Sequence, residues 1–297
     1  MANSRILDAF TAVIARFFQL LVRLTPSSLL FIRENIVYFL LCHIFRYRKK
    51  VVRKNIEFVF PDKSSGYYKK MENQFYHFLS RMFIEMAESY YMNIDDVLSH
   101  FKFKNVEIIQ NFLKQDKSVI LALGHHNNWI WQVVLSEILK YPVYMVYKPL
   151  SNKYIDNWFR NSNYSPLARY IDSESTSKYF LKAIKEKQPS VFIMLADQYP
   201  PPTINSFRVD FLGRETPFFR GVEFFGKKFN TPVVFGETMN IKDYFYETYY
   251  NIIYDGNESL EKGEITQRYA TALGNAIMKQ PENYLWSHRR WKKIIKY

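Results

Sequence analysis

Two apolar stretches occupy most of the first 45 residues. Residues 6–24 and 29–45 are apolar apart from a few isolated charged or amide side chains. Each stretch predicts an apolar helix, and Pro26 with Ser27 and Ser28 predicts a break between the two. Neither stretch offers about 20 consecutive uncharged residues, so the pattern alone does not establish a membrane-spanning helix.

A basic block follows the second stretch directly. Residues 46–54 carry six Lys or Arg side chains. Apolar helices followed by clustered basic side chains are typical of attachment to an anionic membrane at its cytoplasmic face. The alternative is a pair of buried core helices followed by a solvated charged segment. We favour membrane attachment, leave spanning and interfacial anchors open, and divide the chain into membrane-anchoring helices at 1–50 and a globular domain at 51–297.

From about residue 51 the pattern alternates between helical segments and short apolar strands. Predicted strands cover 118–123, 141–147, 190–196, 206–212, 231–239 and 244–255, and predicted helices cover 66–100, 128–140, 151–160, 175–187, 218–230 and 264–280. This order of elements predicts an α/β fold with a mixed central sheet flanked by helices.

The composition narrows the classes of partner. The net charge is +13, and Phe, Tyr and Trp make up 18% of the chain. Such a chain suits either single-stranded nucleic acid or a membrane surface, but it carries no nucleic-acid-binding signature, so we expect no nucleic-acid partner. The single cysteine, Cys42, excludes a disulfide framework and a thiolate metal cluster, and the sequence contains no P-loop or Rossmann motif.

Polar side chains follow two of the predicted strands. His125 and His126 come directly after the strand at 118–123, and Asp197 and Gln198 follow the strand at 190–196. Open α/β sheets bind their ligands at the carboxyl ends of the strands. A histidine at such an end can accept a proton from an attacking hydroxyl, although a lone strand-end histidine is more often structural.

Five blocks, in order along the chain, resemble one enzyme family. They are YRKKVVRKNIEFVFPDKS, LALGHHNNWIWQ, LADQYP, VDFLGRETPFFRGVEFFGKKFNTPVV and YLWSHRRWK. Together they resemble the lipid A biosynthesis late acyltransferases, the lauroyl/myristoyl acyltransferases of Gram-negative bacteria. The resemblance spans roughly residues 30–292 and implies a fold like that of lysophospholipid and glycerolipid acyltransferases.

The resemblance implies a reaction, partners and a location. The reaction is acyl transfer from an acyl carrier protein thioester, or from acyl-CoA, to a hydroxyl of a lipid A precursor or related lipid, as in lipopolysaccharide assembly. His125 is implied as the general base, without a covalent intermediate, a metal or a bound cofactor. The implied location is the cytoplasmic face of the bacterial inner membrane.

One position departs from the family pattern. The family pairs its catalytic histidine with an acidic residue five positions later, where this chain has Ile130 after His125 and Trp131 after His126. Three explanations stay open: Asp197 supplies the carboxylate, the chain is a catalytically silent lipid-binding relative, or it is a variant altered at this position. From the sequence we expect low activity, which Ile130→Glu should raise. Asp197 could instead serve only as a carboxylate that caps its loop.

Further side chains are candidates for binding substrates. Asn128, Trp129 and Gln198 adjoin the two strand ends, and Arg160 and Arg220 are implied to bind phosphate or carboxylate groups of the substrates. The alternative for each arginine is a solvated or structural ion pair.

Overall fold

The computed structural model describes residues 2–26, 29–160 and 165–297. Ser27 and Ser28, at the predicted break between the first two helices, lie outside the described residues. The helices on either side end at Leu24 and begin at Leu30, as the apolar pattern predicts.

The helices and strands alternate along most of the chain. The helices are Ala2–Leu24 (α1), Leu30–Phe39 (α2), Lys49–Val59 (α3), Ser65–Glu88 (α4), Ile94–His100 (α5), Glu107–Leu113 (α6), Leu135–Leu139 (α7), Lys153–Arg160 (α8), Thr176–Lys185 (α9), Gly221–Lys228 (α10) and Glu264–Lys279 (α11). The strands are Phe101–Phe103 (β1), Val119–Leu123 (β2), Val143–Tyr147 (β3), Ala168–Asp172 (β4), Val191–Leu195 (β5), Ser206–Phe211 (β6), Arg214–Phe219 (β7), Val233–Lys242 (β8) and Phe245–Tyr254 (β9). A π-helical turn extends α2 over Leu40–Ile44, and 3₁₀ turns cover Ile130–Val134, Ser173–Ser175 and Pro281–Asn283.

Seven strands form the central sheet in the order β1-β9-β8-β2-β5-β3-β4. All neighbours are parallel except β8 and β9. This is the α/β fold that the sequence predicts, with a mostly parallel central sheet flanked by helices. Because β2 and β5 are parallel neighbours, the residues that follow them meet at one edge of the sheet.

The central strands are buried on both faces, as their continuous apolar runs predict. Side chains along β2 alternate between two cores: Ile120 and Ala122 enter one, and Leu121 and Leu123 enter the other. The first core contains a stack of three rings that joins the sheet to two helices. Phe180 lies 3.7 Å from Phe192 and 4.7 Å from Phe225, measured between ring centroids.

Side-chain caps fix where two of the helices begin. The Ser64 hydroxyl accepts a hydrogen bond from the Tyr67 N–H at 3.2 Å and starts α4. A reciprocal capping box between Asn93 and Asp96 starts α5. Both satisfy backbone donors that a helix N-terminus otherwise leaves without partners.

The structure differs from the sequence prediction in several elements. The predicted helix at 128–140 is a 3₁₀ turn followed by the short helix α7. The predicted helix at 218–230 begins only at Gly221, because the preceding residues pair with β6 as strand β7. A tight turn joins these two strands, and its residues Leu212 and Gly213 both have positive φ, as a two-residue hairpin requires.

The first two helices expose many apolar side chains. On α1 these are Val13, Ile14, Phe17, Leu20, Leu21 and Leu24, and on α2 they are Phe31, Ile32, Ile36 and Phe39. Arg33 holds the two helices to the domain, since its guanidinium donates to the Val22 carbonyl at 2.7 Å and to Glu88 at 3.0 Å. Within the part of the chain that the structure describes, no helix is long and apolar enough to cross a membrane.

The Phe180 ring stack predicts a large stability effect. Phe180→Ala removes a fully buried ring and should lower the free energy of unfolding by about 3–5 kcal/mol. Leu181→Ala is the matched control, because Leu181 is 56% exposed and its loss should change stability by no more than about 0.5 kcal/mol. Urea unfolding in mild detergent measures both, and equal effects would contradict this assignment of the core.

Candidate active site

The site forms where two neighbouring strands end. Leu123 of β2 and Leu195 of β5 are direct partners in the sheet. His125 and Asp197 each lie two residues beyond these partners, so the strand register brings them together. The imidazole Nδ1 of His125 lies 2.6 Å from Asp197 Oδ1. The backbone N–H of His125 donates to the other carboxylate oxygen, Oδ2, at 3.1 Å.

The second ring nitrogen of His125 faces a donor. Because Nδ1 is the nitrogen that bonds the carboxylate, Nε2 is the nitrogen that can present a lone pair. The side-chain amide of Gln198 donates to this Nε2 at 3.1 Å. The ring of Trp129 contacts the imidazole edge-on, with 5.0 Å between ring centroids. This orientation leaves Nε2 able to accept a proton.

Asp197 is an ionised carboxylate in a buried place. Its side chain is 1% exposed. Burial by itself raises the pKa of Asp197, but the neighbouring charge and hydrogen bonds of His125, together with the charge of Arg290, outweigh it and lower the pKa to about 2. A carboxylate held this way fixes the imidazole orientation and stabilises its protonated form.

His126 has a different environment from its neighbour. Its Nε2–H donates to the Gln280 carbonyl at 2.9 Å, and its Nδ1 faces the Asn127 amide at 3.3 Å. Burial lowers the pKa of His126 to about 4, so the ring is neutral. Both ring nitrogens are therefore engaged in holding the turn to the residues that follow α11.

Asn128 holds the turn that follows the histidines. Its side-chain oxygen accepts from the N–H groups of Ile130 and Trp131, both at 3.1 Å. Its amide donates to Glu85 at 3.0 Å, and Glu85 also accepts from the Tyr246 hydroxyl at 2.7 Å. Burial raises the pKa of Glu85 to about 8. These bonds use both ends of the Asn128 side chain. Its predicted role in substrate binding stays a prediction.

Ile130 is 7% exposed and belongs to the apolar core that also contains Leu123 and Trp131. In this structure the carboxylate beside the imidazole is that of Asp197, at the end of the neighbouring strand. Of the three explanations that the sequence left open, this geometry favours the first.

The C-terminal residues complete the site, and the contacts that they make there were not predicted from the sequence. The Leu285 N–H donates to the His125 carbonyl at 3.0 Å, and the Asn127 N–H donates to the Asn283 carbonyl at 3.0 Å. His288 Nε2 accepts from the Tyr199 N–H at 3.0 Å. The segment that carries the Trp-Ser-His-Arg-Arg-Trp sequence is thus bonded to both strand ends. Its dense aromatic and basic content was the available signal.

The two predicted arginines lie at helix ends. Arg160 ends α8 and is exposed, and its charge acts on the hydroxyl of Tyr147 at the end of β3. Arg220 precedes α10, with its guanidinium carbon 4.9 Å from the Phe207 ring centroid. Their roles toward substrates stay predictions. Among the described residues, no group of three or more His, Cys, Asp or Glu side chains is arranged to hold a metal ion.

A family model described as bacterial lipid A biosynthesis acyltransferase matches residues 2–293. The matched range includes both strand ends and the C-terminal segment bonded to them. No curated protein matches the chain.

The Asn128 bonds predict a stability effect specific to this turn. Asn128→Ala removes the acceptor for two backbone N–H groups and one partner of buried Glu85, so the free energy of unfolding should fall by about 2 kcal/mol. Asn111→Ala is the matched control, since Asn111 is exposed on α6. Urea unfolding distinguishes them, and a loss no larger than that of the control would show that the turn does not depend on Asn128.

Proposed function

The chain belongs to the bacterial lipid A biosynthesis acyltransferase family, and we propose that it transfers a fatty acyl chain from an acyl thioester to a hydroxyl of a lipid A precursor or related lipid. The observation that carries this proposal is the hydrogen bond between His125 Nδ1 and the buried Asp197 carboxylate, 2.6 Å long. It orients the imidazole so that Nε2 is the nitrogen available to a hydroxyl.

In the proposed reaction His125 acts as general base. Its Nε2 takes the proton of the acceptor hydroxyl while the hydroxyl oxygen forms a bond to the thioester carbonyl carbon. The carbon–sulfur bond then breaks, and the thiolate takes the proton back from the imidazolium. Asp197 stabilises the imidazolium while it exists. Gln198, which donates to Nε2 at 3.1 Å, must give way to the acceptor hydroxyl.

The charge of the chain supports the proposed acyl donor and lipid acceptor. Acyl carrier protein, acyl-CoA and lipid A precursors all present phosphate or carboxylate groups, and the chain has a net charge of +13. Arg160 and Arg220 are proposed to bind such groups, because a guanidinium pairs with both oxygens of an anion. Trp129 is proposed as an apolar wall beside the reacting groups.

The catalytically silent alternative rests on Ile130. The Asp197 carboxylate supports catalysis instead, because it already accepts a hydrogen bond from the Nδ1–H of His125. A glutamate at position 130 would place a further carboxylate in an apolar core. We therefore replace the expectation drawn from the sequence: Ile130→Glu should lower stability and leave turnover no higher.

We propose that the protein lies on the cytoplasmic face of the bacterial inner membrane. Support comes from the exposed apolar faces of α1 and α2 and from the basic block that follows them. Phe17, Phe31 and Phe39 are each more than half exposed to solvent, at 60%, 77% and 53%. Burial of such rings in lipid, with basic side chains at the headgroups, gives an interfacial anchor.

The base assignment predicts a ranking of variants. His125→Ala and Asp197→Asn should lower acyl transfer by about 10²–10⁴, because they remove the base and its orienting acceptor. His126→Ala is the matched control. At equal amounts of folded protein it should retain more activity than His125→Ala or Asp197→Asn. Mass spectrometry of lipids from cells that produce each variant measures the added acyl chain. Loss from His126→Ala alone, or no added chain with the unaltered protein, would refute the proposal.

The anchor proposal predicts charge-sensitive membrane binding. Phe31→Asp combined with Phe39→Asp should release the protein from vesicles of phosphatidylethanolamine and phosphatidylglycerol in a flotation assay. High salt should weaken binding of the unaltered protein, since each basic side chain near the surface contributes about 1 kcal/mol. Met278→Asp, at an exposed apolar side chain of α11, is the control. Equal flotation of the double variant and the control would contradict the anchor.

A further inference from the structure

The acyl transfer proposed above places a negative charge on an oxygen that neither His125 nor Asp197 stabilises. When the acceptor hydroxyl attacks the thioester, the π electron pair of the carbonyl group moves onto the carbonyl oxygen, which becomes an oxyanion. Acyl-transferring enzymes lower the energy of this oxyanion with hydrogen-bond donors aimed at it in advance. The donor must lie beside Nε2 of His125, because the attacking hydroxyl is bonded to Nε2 while it forms the new bond to carbon.

Several backbone N–H groups around the imidazole already have acceptors within the protein. The N–H groups of His125, Asn127, Tyr199 and Leu285 each donate to a protein atom at 3.0–3.1 Å. These four groups hold the strand ends, the turn and the C-terminal segment together. A substrate oxygen could take them only by breaking those contacts, which favours a side chain as the donor to the oxyanion.

Gln198 presents such a donor beside the base. Its side-chain amide nitrogen lies 3.1 Å from Nε2 of His125. An amide nitrogen carries two hydrogens and can only donate, so Nε2 is the acceptor in this contact. The amide therefore occupies the place that the acceptor hydroxyl takes in the proposed reaction, and it lies next to the place of the thioester carbonyl.

The backbone on both sides of Gln198 is fixed. Before it, the Asp197 side chain is 1% exposed and is bonded to the base. After it, the Tyr199 N–H donates to Nε2 of His288 at 3.0 Å, and three prolines at 200–202 restrict the φ angles that follow. Rotation about side-chain bonds is therefore sufficient to move the amide off Nε2, and the loop keeps its position.

We propose that Gln198 is the catalytic residue that stabilises the oxyanion. In the free protein its side-chain amide donates to Nε2 of His125, and it donates to the carbonyl oxygen of the acyl thioester once the acceptor hydroxyl occupies Nε2. This inference rests on the proposed function. The hydroxyl proton passes to Nε2, the oxyanion re-forms the carbonyl group as the carbon–sulfur bond breaks, and the thiolate takes the proton. The amide keeps both of its protons throughout.

Gln198→Met tests the proposal in the full chain in detergent micelles, with lauroyl-CoA as the donor and a lipid A precursor as the acceptor. Methionine has nearly the length and shape of glutamine but lacks the N–H donor. The kcat should fall by about 10²–10³ while the KM for the donor stays nearly the same, because the lost bond forms mainly in the transition state. Gln188→Met is the matched control, since Gln188 is exposed, and its kinetics should equal those of the unaltered protein.

A dithioester analogue of lauroyl-CoA distinguishes oxyanion stabilisation from a structural role of Gln198. Its thiocarbonyl sulfur accepts hydrogen bonds more weakly than a carbonyl oxygen does, so the loss of kcat caused by Gln198→Met should be about tenfold smaller with the dithioester. A side chain that only supports the fold would cause the same loss with both donors. Gln198→Leu, which also lacks a donor, is the second variant if the methionine variant does not fold.

An unchanged kcat in the folded Gln198 variants, or an equal loss with both donors, would overturn the proposal. Acyl transfer by the unaltered protein would then leave the proposed function standing. If the unaltered protein transfers no acyl chain, the proposed function fails, and the role of Gln198 fails with it.

Discussion

The hydrogen bond between His125 and Asp197 joins the ends of two parallel strands, and the rest of the site depends on it. It forms because Leu123 and Leu195 are partners in the sheet, so the residues two positions beyond each of them lie next to one another. Any change in that register would move the carboxylate away from the imidazole. The two cores that pack against β2 and β5 fix the register, since a one-residue slip would send each side chain into the other core, where the neighbouring side chains have a different shape.

The groups around this pair are arranged to keep it in one conformation. Asn128 caps the turn after the histidines and is held by Glu85 from α4. His126 binds the carbonyl of Gln280, so the turn is also attached to the residues that follow α11. Buried polar networks of this kind stabilise a single arrangement only when their members have partners.

Much of the fold and part of the site could be predicted from the sequence. The apolar runs at β2 and β5 identified His125 and Asp197 as strand-end residues, because burial on both faces leaves a continuous local signal. That the two meet required the strand order, which depends on long-range packing. The 3₁₀ turn after Trp129 could not be predicted either, since it depends on the hydrogen bonds that the Asn128 side chain accepts from the backbone. The C-terminal segment was recognisable as one of the five blocks, but its hydrogen-bond partners in the site could not be predicted, because they lie far away along the chain.

The source of the carboxylate determines what positions the imidazole. In the pattern that the sequence resemblance implies, the acid would follow the histidine five positions later, so the local segment would set their separation. Here the acid comes from β5, and the sheet sets the separation instead. The segment from Ile130 to Val134 forms a 3₁₀ turn of buried side chains, all of them apolar except Gln132, and it presents no carboxylate. Ile130 thus contributes to the core that holds β2 in place, and through the strand it supports the position of His125.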